Sequence, residues 1–367
     1  MYFFELYCFF IHAQILIIIL VYTRPLYYHD RKAIKYETEL PVSVIIAAHN
    51  ELPNLRKLLP ALLQQKHKDF EIIIADDRSS DGSDVYLERQ AILNKKLRYV
   101  RIDEVPVGKS PKKNALEKAI ALAQHDVLLF TDADCIPLTF DWLRNMAAGY
   151  DSKKEIVLGV SLYEQRKGWL NRFIQYETLI TALQYTSFAL IGLPFMGVGR
   201  NLSYKKSLFQ KSGGFGAQMK IMSGDDDLMI NKMSDRKNVA VVLQPESQTI
   251  SAPKETFADW YVQKKRHLSV GKFYSLRNKL MLGFITFSHI SVYFLSLILW
   301  GLNVQVLYVF ILFISRVVIL MLVLSLAARK FASPVKWWLT PIMDLIYIVY
   351  QISVGFVSLI SKHIRWK

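Results

Sequence analysis

Cysteine is almost absent: Cys8 and Cys135 are the only two in 367 residues. One sits in an apolar segment and the other beside a pair of carboxylates, which excludes a disulfide framework and a zinc cluster. Nothing in that usage points to an oxidising compartment. Acidic residues are also in deficit, 31 against 46 lysines and arginines, for a formal net charge of +15. Such a balance raises nucleic acid as a partner. Zinc-finger spacing, a helix-turn-helix signal and an RNA-binding aromatic signature are all missing, so no nucleic acid is expected. Anionic lipid headgroups and diphosphate ligands account for the charge better. The triplet Gly108-Lys109-Ser110 is not a P-loop either, because the earlier glycine position holds Asp103.

What the chain has in excess is apolar sequence. Hydrophobic residues make up 52% and the mean hydropathy is positive, which suggests a membrane protein. Residues 2 to 22 are long enough to cross a bilayer, which takes roughly 20 residues at helical rise. A cleaved signal peptide would begin basic and end on small residues. Here Glu5 is the only charge, and Arg24, Arg31, Lys32 and Lys35 follow. The expectation is therefore an uncleaved anchor over residues 1–23, amino terminus outside and the next domain in the cytoplasm. Glu5, His12 and Gln14 interrupt its apolar character.

The carboxyl-terminal region, 281–361, repeats the pattern. Residues 281–301 and 303–326 predict two spans around a Gly301-Leu302-Asn303 turn, and 339–361 a further one. Arg329, Lys330 and Lys336 fall in the loop that this orientation puts inside. The tail with Lys362, His363, Arg365 and Lys367 would then lie outside, against the positive-inside trend, and Asp344 lies within the last segment. Two spans or three both stay open, the count of charges leaving the last segment as a span or as a re-entrant or interfacial hairpin.

From Leu40 to about residue 135, β-rich runs alternate with helical ones. Val42–Ala48 and Phe70–Ala75 predict strands; Leu52–Gln65, Val85–Leu93 and Lys112–Ala123 predict helices. This is βαβ wiring, an α/β domain with a mainly parallel, Rossmann-like sheet covered on both faces. The apolar run Asp126–Phe130 then ends in Thr131-Asp132-Ala133-Asp134. Side chains alternate along extended backbone, so Asp132 and Asp134 should point the same way where this strand runs into a loop. Hard divalent cations take such oxygen ligands, and ligands of open α/β sheets bind at the carboxyl ends of strands. His49, Asn50 and Glu51 end the first strand, and Asp76 and Asp77 the second. The run Asp76 to Ser83 also fits a plain cap and turn.

Pro41-Val42-Ser43-Val44-Ile45-Ile46-Ala47-Ala48-His49-Asn50-Glu51, Asp76-Asp77-Arg78-Ser79-Ser80-Asp81-Gly82-Ser83 and Thr131-Asp132-Ala133-Asp134 resemble family 2 glycosyltransferases of the GT-A fold. Gly197-Val198-Gly199-Arg200-Asn201-Leu202-Ser203-Tyr204, the turn Gly213-Gly214-Phe215 and Ser223-Gly224-Asp225-Asp226-Asp227-Leu228 extend the likeness, in order, over about residues 40 to 270. The resemblance implies a nucleotide-sugar donor, with UDP expected, bound near Ala47, Glu51, Asp76, Asp77, Lys109 and Asp132. Asp132 and Asp134 would hold Mg2+ or Mn2+. Asp225 would be the general base, with Asp226 open as the alternative because Gly224 stands where the family has an acid. Lys109, Lys112 and Lys113 could meet phosphate oxygens or form a solvated face.

Trp260-Tyr261-Val262-Gln263-Lys264-Lys265-Arg266-His267 resembles the Gln-x-x-Arg-Trp motif of processive and glycolipid-forming members, with His267 in place of tryptophan. That likeness puts Gln263, Arg266 and His267, together with Asn201, on the acceptor and diphosphate side. Lys264, Lys265, Arg266 and Lys272 equally suit a juxtamembrane basic cluster. Upstream, Trp169, Phe173, Tyr176, Ile180 and Leu183 recur at helical spacing, which suits an interfacial amphipathic helix or core packing. The expectation is a membrane-anchored inverting glycosyltransferase with a cytoplasmic GT-A domain over 40–275, acting on a lipid-linked or glycan acceptor. A processive polysaccharide synthase and a non-catalytic nucleotide-sugar- or polysaccharide-binding scaffold are the alternatives. No protein partner is implied.

Overall fold

The computed structural model describes residues 2–30, 39–355 and 357. Arg31, Lys32 and Lys35, and the tail bearing Lys362, His363, Arg365 and Lys367, lie outside the described residues. The chain packs as two compact units. One draws on Met1–Tyr28, Gln165–Ile191 and Lys254–Lys362, the other on His29–Glu164 and Gly192–Pro253.

The sheet unit is built on strands β1 Val42–Ala48, β2 Phe70–Asp77, β3 Leu97–Ile102, β4 Val127–Phe130, β5 Cys135–Pro137, β6 Ile156–Leu158, β7 Ser161–Tyr163, β8 Leu202–Lys205, β9 Val239–Val241 and β10 Thr249–Ser251. Seven of them form one sheet in the order β3-β2-β1-β4-β8-β6-β9, and the others a small sheet, β5-β10-β7. Every residue of β1, β2 and β4 is buried. That burial explains their continuous runs of valine, isoleucine and leucine, since helices cover both faces of a parallel sheet. β1 pairs in parallel with β2 and with β4, Val42 facing Phe70 on one side and Val127 on the other. This register brings the polar residues after all three strands to one edge. The chain runs outward from β1 to β3 and returns to β4 on the other side of β1, which makes the β1/β4 crevice a topological switch point.

Two helices on this unit begin on prolines, Leu52–Leu63 with Pro53 and Pro111–Leu122 with Pro111 itself, where the missing N–H and fixed φ suit a first turn. Asp81 joins the loops after β1 and β2: its carboxylate accepts the N–H groups of Leu52 at 2.9 Å and Ser83 at 3.0 Å. Asn50 supports the same junction in the left-handed region, φ 54°. Its N–H reaches Ser79 Oγ and its Oδ1 accepts from Ser80 N–H, both at 2.8 Å.

The helical unit contains four helices long and apolar enough to cross a membrane: Tyr2–Tyr27, Leu276–Gly301, Val306–Lys330 and Trp337–Gly355. One is amino-terminal and three are carboxyl-terminal, so the last segment counts as a candidate span. Tyr7, Ile11, Val292 and Val309 pack where the first three meet, and Tyr7 OH donates to the Val309 carbonyl at 2.9 Å. Gln14, the polar interruption of the first helix, donates to Ser288 Oγ at 2.7 Å. Asp344 is likewise answered, by Arg316 and by Tyr293 OH. The helix Trp169–Leu190 belongs to this unit and is buried nearly all round. Gln175 and Thr178, off its expected apolar stripe, are buried too, so the helix is packed as core.

Candidate active site

The strand ends carry a dense cluster of carboxylates. Asp132 and Asp134 do not share a face by strand alternation, because β4 stops at Phe130. A turn brings them together instead, closed by Cys135 N–H to the Asp132 carbonyl at 3.0 Å. Carboxylate oxygens of Asp132 and Asp134 and the sulfur of Cys135 lie within 4.8 Å of one another. Burial holds the Cys135 thiol well above its usual value, and it donates to Asp134 Oδ1 at 3.5 Å. A protonated thiol is no ligand for a hard ion. The two carboxylates alone are therefore the donor set, and their oxygens fit a divalent cation. Asp134 is exposed at the edge of the cluster; the protein beside it and then the charges of Asp132 and Glu51 push its carboxyl above the ordinary range against the pull of Arg200.

Lys112, at the first turn of the helix Pro111–Leu122, spans the centre. Its ammonium contacts Asp132 Oδ1 at 2.9 Å and Asp225 Oδ2 at 2.8 Å. Burial would strip its proton, but Asp132 and Asp225 outweigh burial and hold the pKa above normal. Asp225 is half-buried, and against the upward push of desolvation Lys112 brings its carboxyl below the usual range. Its neighbour differs. Asp226 is tied to backbone, accepting the N–H groups of Gly199 at 2.7 Å and Asp227 at 2.8 Å as the cap of the helix Asp227–Met233. Burial and the Asp225 charge push the Asp226 carboxyl up. Gly224, where the resemblance leads one to expect an acid, has φ +76°, a conformation that disfavours any side chain.

The loop that presents Asp225 is held from below by Lys113. This ammonium is fully buried and donates to the carbonyls of Gln218 at 2.9 Å, Ile221 at 3.0 Å and Ser223 at 2.9 Å. Burial pulls its pKa down to about 8, while three carbonyl acceptors require the protonated form. Lys109 lies in the preceding loop, its N–H on the Pro106 carbonyl, and among the described residues it makes no ion pair with the cluster.

On the nucleotide side the expected residues are largely occupied. Asp76 is fully buried, paired with Arg101 at 2.8 Å and accepting from Ser79 Oγ. Burial still leaves its carboxyl raised. Asp77 is buried and holds Arg78 through two contacts, at 2.9 and 3.2 Å, so Arg78 is the group that this pair offers to solvent. Ala47 is buried at the end of β1, and Glu51 accepts from Asn54 Nδ2 at 2.6 Å.

Asn201 is engaged inside the sheet. Its Nδ2 donates to the carbonyls of Val160 and Ser247, both at 2.8 Å, and its Oδ1 accepts from Trp142 Nε1 at 3.0 Å. Gln263, Arg266 and His267 all lie on the helix Phe257–Leu268 of the helical unit, where Lys264 forms a buried ion pair with Glu177.

Two cationic residues stand out that local pattern ranks poorly. Lys112 was one of three lysines, and only its place at a helix start beside the β4 end separates it from Lys109. Arg200 is the sole charge in its glycine-rich segment. It stacks 4.3 Å over the Tyr163 ring and donates to Ser251 Oγ at 2.9 Å, and its charge acts on both Asp132 and Asp134.

Residues 43–213, which hold this cluster apart from Asp225 and Asp226, match the model of Glycosyl transferase family 2. This stretch belongs to glycosyltransferase family 2. The amylovoran biosynthesis glycosyltransferase AmsB of Erwinia amylovora is 27% identical over 174 residues, 47% of this chain and 51% of that relative. The chain thus spans about half the length of the curated relative it matches. Mannosyltransferase PcManGT from Pyrobaculum calidifontis, solved in complex with GDP-Man and Mn2+, aligns over 96% of both chains with a TM-score of 0.57 at 17% identity. At that identity the likeness is one of fold. The sheet unit has the GT-A fold.

Proposed function

We propose that the chain is a membrane-bound, metal-dependent, inverting glycosyltransferase that moves a sugar from a nucleotide-sugar donor to an acceptor at the cytoplasmic membrane face. The observation that carries this reading is the Lys112 bridge: one ammonium links a carboxylate of the pair suited to a cation to a second, separate carboxylate, Asp225. A nucleotide-sugar transfer needs those two functions side by side. A bound Mg2+ or Mn2+ would neutralise charge on the departing diphosphate, and Asp132 and Asp134 would hold it. Asp225 takes the proton of the acceptor hydroxyl as that oxygen attacks the anomeric carbon. Asp225 fits this role better than Asp226, whose oxygens are committed to backbone N–H groups. One base and direct displacement invert the anomeric centre, so an α-linked donor gives a β-linked product.

Ala47, Glu51 and the Asp76-Asp77 loop, with Arg78 outermost, line the nucleotide side, and Lys109 is free to swing toward phosphate. Gln263, Arg266 and His267 serve the acceptor side. His267 and the small number of apolar helices favour single transfer to a lipid-linked or glycan acceptor over processive synthesis. The cytoplasmic orientation is supported by basic residues at one end of the helical unit: Arg24 in the last turn of the first apolar helix and Arg329 and Lys330 at the end of the third, with Lys330 Nζ on the Tyr28 carbonyl at 2.8 Å. AmsB is named as a glycosyltransferase of amylovoran biosynthesis, which supports a biosynthetic glycan or glycolipid product here. PcManGT carries GDP-Man, so GDP-linked donors belong beside UDP-linked ones in the test.

The test is nucleotide release from a panel of UDP- and GDP-sugars by the full chain in lipid nanodiscs, with Mg2+ or Mn2+ and membrane lipid extract. Release from one donor, lost in Asp225→Asn and in Asp134→Ala, is the expected result. No release from any donor would leave the binding scaffold as the better reading.

A further inference from the structure

The helical unit has a polar concavity whose lining includes none of the residues proposed for sugar transfer. A cavity of about 550 Å3 opens between the start of the helix Trp169–Leu190 and the connection that leads from the third apolar helix into the fourth. Arg166, Lys167 and Arg172 line one side and Lys336 the other, all of them exposed. No aspartate or glutamate is among its lining residues. Glu255 answers Arg166 from outside the lining, which leaves Lys167, Arg172 and Lys336 as the cations in excess. Arg172 lies 5.0 Å over the Trp169 ring and Lys336 5.9 Å over the Trp338 ring. Neither ring offers a hydrogen-bond acceptor for the cation's N–H groups in the plane of a guanidinium or along an ammonium.

Beneath this rim the wall is apolar: Leu339 and Met343 are buried in the cavity wall, with Tyr176 beside them. Trp169, Trp337 and Trp338 are exposed around it, and Trp337 opens the fourth apolar helix. Exposed tryptophans at helix ends mark the headgroup level of a bilayer. The partly positive amino end of a 22-residue helix faces the same space. The volume falls within the ~300–1,000 Å3 usual for ligand sites. An occupant must combine an anion of compact charge with a hydrocarbon chain.

We propose that this cavity binds the phosphate headgroup of a membrane amphiphile, with its hydrocarbon chain leaving over Leu339 and Met343. The proposal rests on the reading of the four apolar helices as membrane spans and not on the transferase reading, so failure of either leaves the other standing.

Binding to the full chain in neutral detergent is measured by native mass spectrometry with three probes: dioleoyl phosphatidic acid, dioleoylglycerol and inorganic phosphate. Phosphatidic acid should bind at least tenfold more tightly than either of the others, which separates a headgroup with a chain from free phosphate and from a chain alone. The triple variant Lys167→Gln/Arg172→Gln/Lys336→Gln should lose about 100-fold, at roughly fivefold per cation near a lipid surface. Lys336→Gln alone should lose about fivefold, and it keeps the test alive should the triple variant melt early. An equal removal of charge elsewhere, Lys95→Gln/Lys118→Gln/Lys211→Gln on the sheet unit, should change nothing. Equal losses in the two triple variants would overturn the proposal in favour of diffuse attraction. Inorganic phosphate binding as tightly as phosphatidic acid would overturn the membrane amphiphile as occupant.

Discussion

Each unit holds a polar cluster, one buried among apolar helices and one half-open at the strand ends, and they differ in how their charge is answered. In the helical unit Asp344 is enclosed by Arg316, by His289 at 3.2 Å, by Tyr293 OH at 2.8 Å and by Tyr176 OH at 3.2 Å. Every partner comes from another helix, and the charges balance. In the sheet unit Glu51, Asp132, Asp134, Asp225 and Asp226 gather against Lys112 and Arg200, with Lys113 committed to carbonyls. That cluster is short of positive charge. A balanced network inside apolar helices has what scaffolding needs, whereas a standing excess of one sign marks a place where a ligand of opposite sign completes the structure.

The sharpest break between the two should appear in turnover. Asp225→Asn keeps the shape of the side chain and removes the base, so nucleotide release should fall by ~10²–10⁴-fold while thermal unfolding stays near that of the parent. Asp344→Leu should do the reverse. It strands Arg316, which is buried, at a cost of ~3–5 kcal/mol, and replacing both as Asp344→Leu/Arg316→Met should recover most of it. Chemical unfolding in detergent reads that difference. If the double variant stayed stable but release collapsed, Asp344 would belong to the working site and the contrast would fail.

These clusters were unequally legible in the sequence. The βαβ strands and the three polar strand ends could be read because each is a local pattern of apolar run followed by turn residues. The Asp132-Asp134 pair was found for a reason that did not hold: a turn, not strand alternation, brings the two together. Lys112 was hidden among neighbouring lysines, because its contact with Asp225 joins segments far apart in the chain. Asp344 reads as an interruption of an apolar segment until the Arg316 of another helix is seen beside it. Local periodicity records burial, not the identity of a distant partner.

The charge deficit of the sheet cluster has a direct readout. Mn2+ at 100 times its dissociation constant should raise unfolding free energy by ~2.7 kcal/mol. A thermal melt with and without the ion shows it, and Asp132→Asn/Asp134→Asn should abolish the shift. The helical cluster offers the ion nothing, so Asp344→Leu should retain the whole shift. A shift that survived removal of both aspartates would place the cation elsewhere.

Asn201 tests where the cluster ends. The family resemblance places it with the acceptor and diphosphate, yet its side chain holds the Val160 and Ser247 carbonyls and receives Trp142 Nε1, all in the interior. It also packs so closely under Gly159 that a Cβ there would come within 2.4 Å of Asn201 Nδ2. Removing it in Asn201→Ala leaves two carbonyls and one indole N–H without their partner. Each such group costs ~1–3 kcal/mol when it stays dry, and partial relaxation should bring the total to about 2 kcal/mol, the smallest effect in this series. The Mn2+ shift should persist, because no oxygen of the metal pair touches this side chain. Unchanged stability with slowed release would put Asn201 on the ligand, and the border between scaffold and site would then run just ahead of β8.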